Sequence, residues 1–128
     1  MSQPTVLIAD DDPLLCAILE HKLAAAGYAV RCVENGREVL TNLETDRPAI
    51  VVLDAMMPVM DGFETLRRIK ENPALRTIAV VMLTALKREN DIVTALKLGA
   101  ADYLAKPFNP DELVLRLARL GPGAGTSA

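Results

Sequence analysis

The chain has 128 residues, of which 51% are apolar and 24% are charged, a composition that fits one globular domain and excludes a disordered chain. Fourteen basic and seventeen acidic side chains leave a net charge of −3, so the strongly basic surface typical of nucleic-acid-binding proteins is absent. The apolar runs fall well short of the roughly 18 residues that span a bilayer. Residues 1–4 carry no secretory leader, and we therefore expect a cytoplasmic protein.

Two cysteines and one histidine limit the metal and redox chemistry available to the chain. Cys16 and Cys32 form no CxxC pair and no disulfide framework, so we interpret both as packing thiols in a reducing compartment. His21 lies beside Lys22 within a predicted helix, and we interpret it as a surface residue. A lone histidine without a cysteine cluster argues against a zinc site.

Apolar runs recur at regular intervals and predict five strands. In chain order they cover residues 6–9, 28–33, 50–53, 78–83 and 102–105. The first, third and fourth runs are continuous and rich in β-branched residues, which is typical of strands buried on both faces of a parallel sheet. The second run alternates more between apolar and polar residues, which favours a place at the sheet edge.

Helix signals separate the strands. Asp12 and Pro13 supply a capping side chain and a proline for the first turn of a helix that Gly27 ends. A stripe of apolar residues after the fourth strand indicates another helix, which ends at Gly99. Three further helices begin with a capping residue followed three positions later by an acid, and these pairs are Asn35 with Glu38, Asp61 with Glu64 and Asn109 with Glu112.

The strict alternation of strands and helices predicts a doubly wound α/β fold. Five such units favour a five-stranded parallel sheet in the order 2-1-3-4-5, the flavodoxin-like (βα)5 arrangement. We expect residues 4–120 to form this single domain. Residues 121–128 have the composition of a linker, and we expect them to be a disordered tail.

Polar side chains stand at the ends of four predicted strands. Asp10 and Asp11 follow the first strand, Asp54 ends the third, Thr84 ends the fourth and Lys106 follows the fifth. Ligands of such sheets bind at the carboxyl ends of the strands, so we expect these side chains to converge. Three neighbouring carboxylates repel one another unless a cation neutralises them, and a hard ion with oxygen ligands, Mg²⁺ or Mn²⁺, suits them.

This set of residues suggests transfer of a phosphoryl group to a carboxylate. An aspartate can attack phosphorus, while a metal ion, a lysine and a hydroxyl each meet one developing charge. No glycine-rich phosphate loop is present, so the group must come from another protein or a small donor. Each residue also has an ordinary interpretation as a helix start, a turn or a local hydrogen-bonding group. Their joint placement at four strand ends favours the chemical one.

Four stretches of the sequence resemble the response-regulator receiver domain of two-component signalling. They are residues 6–12, 53–62, 83–85 and 99–108, and the resemblance extends from about Thr5 to Leu120. It implies a phosphorylation-dependent signalling switch with Asp54 as the phosphoacceptor. It further implies that Asp10 and Asp11 hold Mg²⁺ together with Asp54 and the backbone carbonyl of Met56.

The resemblance also assigns the remaining site residues. Lys106, Thr84 and Ala85 would contact the phosphoryl group. Tyr103 would be the aromatic switch whose ring turns inward when Thr84 moves. The bond between Lys106 and Pro107 would be a cis peptide, which proline makes energetically accessible.

Partners follow from the same resemblance. A sensor histidine kinase or a phosphotransfer protein would donate the phosphoryl group, and an output domain or partner protein would contact the face formed by the fourth helix, fifth strand and fifth helix. The resemblance implies no direct contact with nucleic acid or membrane, and it allows a phosphorylation-dependent dimer. A phosphoacceptor domain is not expected to be an enzyme, although Mg²⁺-dependent self-phosphorylation from phospho-donors and slow autodephosphorylation are expected.

Two other functions compete with the signalling switch. One is an interaction module of the same fold that ignores phosphorylation, against which the intact acidic residues and Lys106 argue. The other is a Mg²⁺-dependent phosphatase with an aspartate nucleophile, but Met56 stands where such hydrolases place a second aspartate. The composition of the tail after Leu120 favours a receiver joined to a further segment over a stand-alone one.

Overall fold

The apolar runs form the strands of a central sheet, and the capped segments form helices on both of its faces. A computed structural model describes residues 3–85 and 89–120, with the side chain of Glu89 left out. The strands are β1 (Thr5–Ala9), β2 (Ala29–Val33), β3 (Ile50–Asp54), β4 (Ala79–Thr84) and β5 (Asp102–Ala105). The helices are α1 (Pro13–Ala25), α2 (Gly36–Thr45), α3 (Gly62–Glu71), α4 (Glu89–Lys97) and α5 (Pro110–Leu120).

All strand pairs are parallel, and the sheet has the order β2-β1-β3-β4-β5. The predicted fold class and strand order are therefore confirmed. The predicted edge position of β2 is also confirmed, and its half-buried residues contrast with the fully buried β3. The chain reverses its direction of winding between β1 and β3, which places the carboxyl ends of these two strands beside each other.

Two predicted strand boundaries are one residue too early, for a reason visible in the backbone hydrogen bonds. The amide of Tyr28 donates to the carbonyl of Leu23, so Tyr28 completes the end of α1 instead of starting β2. The amide of Ile78 donates to the carbonyl of Leu75 and belongs to the turn before β4. Both side chains are buried, so an apolar pattern alone cannot separate them from the strands that follow.

Capping side chains define the helix starts that the sequence predicts. Asp12 accepts hydrogen bonds from the amides of Leu14 and Leu15 at the start of α1. Asn35 accepts from the amide of Glu38 in α2, and Asp61 accepts from the amide of Glu64 in α3. Each bond satisfies an amide that has no partner within its own helix.

The core forms two layers because successive strand residues point to opposite faces. In β3, Val51 and Leu53 pack with buried residues of α2, α3 and α4, whereas Ile50 and Val52 pack with those of α1 and α5. Burial of each such aliphatic side chain contributes roughly 1.5–3 kcal/mol. The rigid sheet that results fixes the positions of the polar residues at its carboxyl edge.

The two remaining predictions concern the C-terminal tail and the absence of membrane-spanning segments. The tail at residues 121–128, for which disorder is predicted, lies outside the described residues. Within residues 3–85 and 89–120, no helix is both long and apolar enough to cross a membrane.

Candidate functional site

Three carboxylates meet at the edge where β1 and β3 end. Asp10 directly follows β1, and Asp54 is the last residue of β3. Both aspartates are buried, with Asp10 only 2% exposed and Asp54 only 6% exposed. Asp11 is exposed at the rim of the same site. One carboxylate oxygen from each of the three lies within 4.8 Å of the others. The convergence expected from the strand order is therefore present in the structure.

Lys106 follows β5, the edge strand of the sheet, and brings a positive charge to two of these carboxylates. Its Nζ atom donates to Asp10 Oδ2 at 2.7 Å and to Asp54 Oδ2 at 3.1 Å. The backbone of Lys106 is fixed as well, since its amide donates to the carbonyl of Thr84 at 2.8 Å. The peptide bond from Lys106 to Pro107 is cis.

Backbone amides bind the second carboxylate oxygen of Asp10 and of Asp54. Asp10 Oδ1 accepts from the amide of Asp12 at 2.9 Å, and Asp54 Oδ1 accepts from the amide of Met56 at 3.2 Å. The backbone of Asp10 is tied to the neighbouring strand by a 3.1 Å bond from its amide to the carbonyl of Val33. These contacts fix the direction in which each carboxylate points.

The pKa of Asp54 is raised above its ordinary value, chiefly because the carboxylate is buried. Burial raises the pKa of Asp54 and the charge of Asp10 raises it further, whereas the Met56 amide and Lys106 lower it, and the net direction is upward. Burial alone would lower the pKa of Lys106, but its hydrogen bonds with Asp10 and Asp54 raise it above its ordinary value. The lysine therefore stays charged and outweighs the repulsion from Asp10, while burial keeps the pKa of Asp54 above its ordinary value.

The donor set fits a small divalent ion with oxygen ligands. Two buried carboxylates and one exposed carboxylate converge within 4.8 Å, and Mg²⁺ is held in proteins by a few carboxylates together with waters. A bound cation would favour the ionised form of Asp54, whose pKa is raised by burial and, to a smaller extent, by the charge of Asp10. Met56 contributes its amide to Asp54, while a role for its carbonyl as a ligand remains a prediction from the family resemblance.

Thr84 and Tyr103 form the second part of the site. Thr84 is fully buried at the end of β4, and a side-chain hydrogen bond joins it to Tyr103 on β5. Burial raises the pKa of Tyr103 and the charge of Asp91 adds to the rise, while the bond with Thr84 opposes it. The Thr84 hydroxyl is thus engaged with the tyrosine in this structure. Ala85 is exposed and lines a cavity of about 300 Å³ that Lys106 also borders.

Gly62 is a site residue to which the strand and helix patterns give no role. A Cβ atom at this position would lie 2.3 Å from the backbone oxygen of Asp54 and 2.9 Å from Cα of Ala55. The start of α3 therefore packs directly against the backbone of the acidic site, and only a residue without a side chain fits there. The Asp61-Gly62 pair, which ends the receiver-like stretch at residues 53–62, is the signal that could have revealed it.

Comparison with known protein families supports a single assignment. Residues 6–118 match the family described as the response regulator receiver domain. The alkaline phosphatase synthesis transcriptional regulatory protein PhoP of Bacillus subtilis is 37% identical over 112 residues, which cover 88% of this chain and 46% of that protein. A 14.6 kDa protein of Leptolyngbya boryana is 40% identical over 114 residues, covering 89% of this chain and 87% of that protein.

Solved structures agree with the sequence comparison. The chemotaxis response regulator CheY4 of Vibrio cholerae superposes with a TM-score of 0.86 at 31% identity, covering 93% of this chain and 99% of that one. The receiver domain of a signal transduction histidine kinase from Syntrophus aciditrophicus gives a TM-score of 0.85 at 38% identity, covering 91% of this chain and 89% of that one. The chain spans 43% to 49% of the length of several curated relatives, among them PhoP.

Proposed function

The chain belongs to the response regulator receiver domain family, and on that premise we propose that Asp54 is the residue that accepts the phosphoryl group. Receiver domains act as phosphorylation-dependent switches in two-component signalling, and they are phosphoacceptors instead of conventional enzymes. The single observation that carries the proposal is the contact of Lys106 with both Asp10 and Asp54 beside a third carboxylate.

The geometry suits Asp54 better than its neighbours as the nucleophile. Asp54 uses one oxygen to accept from the Met56 amide and the other to accept from the ammonium group of Lys106. Asp10 is held by Lys106 and by the Asp12 amide at only 2.7 Å and 2.9 Å, and it sits deeper in the fold. In the proposed step an Asp54 oxygen attacks phosphorus, the bond from phosphorus to the donor breaks, and the donor leaves with that electron pair.

Lys106 and Thr84 stabilise the product in this proposal. The Lys106 ammonium exchanges its contact with Asp54 for one with the phosphoryl oxygens, because the added dianion outweighs a single carboxylate. The buried Thr84 hydroxyl turns from Tyr103 to the same group, and Ala85 lies beside it at the exposed end of β4. Tyr103 then loses its partner and turns inward, which changes the surface around β5.

We assign the divalent ion, Mg²⁺ or Mn²⁺, to Asp10, Asp11, Asp54 and the backbone carbonyl of Met56. When bound, the ion neutralises the charge that develops on the transferred phosphoryl group. The chain itself contributes the orientation of the carboxylates, through the amides of Asp12 and Met56. Self-phosphorylation from small phospho-donors and slow autodephosphorylation are further parts of the proposal.

The partners we propose are those of a signalling relay. A sensor histidine kinase or a phosphotransfer protein supplies the phosphoryl group, and an output domain or partner protein reads the face formed by α4, β5 and α5. Tyr103 belongs to that face, which links it to the site through Thr84. A phosphorylation-dependent dimer through the same face, and a cytoplasmic location, complete the proposal.

Labelling with acetyl phosphate tests the assignment of Asp54. In Mg²⁺ the wild-type chain should gain one phosphoryl group of about 80 Da in intact-mass spectra, and Asp54→Asn should gain none. Asp61→Asn is the matched control, since Asp61 is a nearby exposed carboxylate that caps α3 and asparagine caps equally well. Labelling of Asp54→Asn at the wild-type rate would show that another residue is the acceptor, and an unlabelled wild type would favour a phosphorylation-independent interaction module.

A further inference from the structure

The two cysteines of the chain, 16 residues apart in sequence, meet between α1 and β2. The thiol of Cys32 donates to the backbone oxygen of Cys16, with Sγ 3.9 Å from that oxygen, so the two residues are direct neighbours. Both thiols line one cavity of about 400 Å³ that Asp10 and Asp11 also border. The sequence interpretation of both cysteines as packing thiols is incomplete, because the Cys32 thiol lies against the backbone of Cys16 and both residues line the same cavity.

We propose that Cys16 and Cys32 form a modification site, a dithiol that peroxides oxidise to an intramolecular disulfide. The proposed phosphoryl transfer uses neither residue. Disulfides in reducing compartments are mostly transient and redox-sensing, which suits a pair that is free in the structure yet already in contact. The chain has two cysteines in all, so each has a single intramolecular partner available.

Exposure decides which thiol reacts first. Cys32 is half-buried and borders the cavity, whereas Cys16 is only 8% exposed. The sulfur of Cys32 attacks a peroxide oxygen, the O–O bond breaks, and the departing hydroxide leaves as water with the thiol proton. The sulfur of Cys16 then attacks the sulfenic sulfur of Cys32, the S–O bond breaks and a second water leaves. Two thiols are oxidised to one disulfide while one peroxide is reduced to two waters.

The pair is linked to the acidic site through the backbone of Asp10. Cys16 Sγ donates to the carbonyl of Asp10 at 3.6 Å, and the amide of Asp10 donates to the carbonyl of Val33, the residue after Cys32. A disulfide removes the thiol that donates to the Asp10 carbonyl, so the backbone of Asp10 loses one of the contacts that fix it. This consequence rests on the proposed function, in which Asp10 holds Mg²⁺. Loss of a hydrogen bond that supports a metal ligand, here the bond from Cys16 to the Asp10 carbonyl, weakens metal binding roughly 10-fold.

Intact-mass spectrometry of the whole chain tests the disulfide directly. After hydrogen peroxide the protein should lose about 2 Da and resist iodoacetamide, and dithiothreitol should restore two thiols that each gain roughly 57 Da. Cys16→Ala should instead stop at a sulfenic acid on Cys32 that dimedone traps, whereas Cys32→Ala should leave Cys16 largely unreacted. Oxidation only to sulfinic or sulfonic acid, or disulfides only between two molecules, would overturn the proposal.

A second measurement separates this proposal from the assignment of Asp54. The disulfide should form equally in Asp54→Asn, since its chemistry needs no phosphoryl acceptor. In the wild type, oxidation should raise the Mg²⁺ concentration for half-maximal labelling by acetyl phosphate roughly 10-fold. Equal Mg²⁺ dependence in reduced and oxidised protein would overturn the link between the cysteines and the site. A reduced wild type that is never labelled would overturn the proposed function and leave the disulfide standing.

Discussion

Lys106 lies closer to Asp10 than to Asp54, the proposed acceptor, with Nζ at 2.7 Å from an Asp10 oxygen and 3.1 Å from an Asp54 oxygen. One ammonium group is therefore shared between two buried carboxylates. The stronger contact is with the carboxylate that stays in place, so Lys106 can release Asp54 to the incoming phosphorus without leaving the site. Burial raises the pKa of Asp54 by more than Lys106 and the Met56 amide lower it.

The raised pKa of Asp54 predicts that its ionised form destabilises the fold when no divalent ion is present. The folded protein binds the proton more tightly than the unfolded chain, so stability falls as pH rises from the ordinary pKa of aspartate, about 4, through the raised value. Asp54→Asn should therefore increase the free energy of unfolding at pH 7 by on the order of 1 kcal/mol. Urea denaturation in EDTA at pH 7 and near pH 3 measures this gain, which should vanish at the lower pH. A variant less stable than the wild type at pH 7 would contradict the prediction.

The carboxylate cluster predicts a difference between two adjacent aspartates. Asp11→Asn should weaken Mg²⁺ binding about 10-fold or more and slow labelling at Asp54, because one ligand loses its charge. Asp12→Asn is the matched control, since Asp12 caps α1, lies outside the cluster, and asparagine is an equally good cap. Isothermal titration with Mg²⁺ compares the two variants. Equal affinities would show that Asp11 is not a ligand.

The hydrogen bond between Thr84 and Tyr103 predicts how the switch responds. Thr84→Ala should still be labelled at Asp54, but the ring of Tyr103 should respond weakly because its partner no longer moves. NMR spectra with and without beryllofluoride, which stands in for the phosphoryl group on the carboxylate, report the two tyrosines of the chain separately. Tyr28 is the internal control, since it is buried beside α1 and should not respond. The same Tyr103 shifts in the wild type and in Thr84→Ala would show that the coupling does not pass through Thr84.

The contact of Gly62 with the backbone of Asp54 predicts a combined loss of stability and function. Gly62→Ala places a methyl group against backbone atoms that cannot move aside, which should cost roughly 1–3 kcal/mol and slow labelling of Asp54. Gly27→Ala is the control: Gly27 has a φ of +101° and open space around it, so alanine costs about 1–2 kcal/mol of strain far from the site. Urea denaturation and acetyl phosphate labelling of both variants test the difference. Wild-type stability and labelling in Gly62→Ala would contradict the packing described here.

The sequence predicts those features that depend on local patterns. Continuous apolar runs and capping residues define the strands and helices, and the strand order then brings Asp10 and Asp54 to one edge. The apolar pattern assigns Tyr28 and Ile78 to the strands that follow them, although both residues belong to the preceding turns. Burial is the same in a strand and in the turn before it, so the pattern cannot separate them. The contact between Cys16 and Cys32 depends on how α1 packs on β2, and no spacing in the sequence indicates it.

Identification of the phosphorylated residue decides whether Asp54 is the phosphoacceptor. Borohydride reduces an aspartyl phosphate to homoserine, so the modified residue becomes about 14 Da lighter than aspartate and can be located by peptide sequencing in a mass spectrometer. After labelling with acetyl phosphate and Mg²⁺, we expect this change at Asp54 alone. Homoserine at Asp10, Asp11 or another carboxylate, with Asp54 intact, would contradict the account.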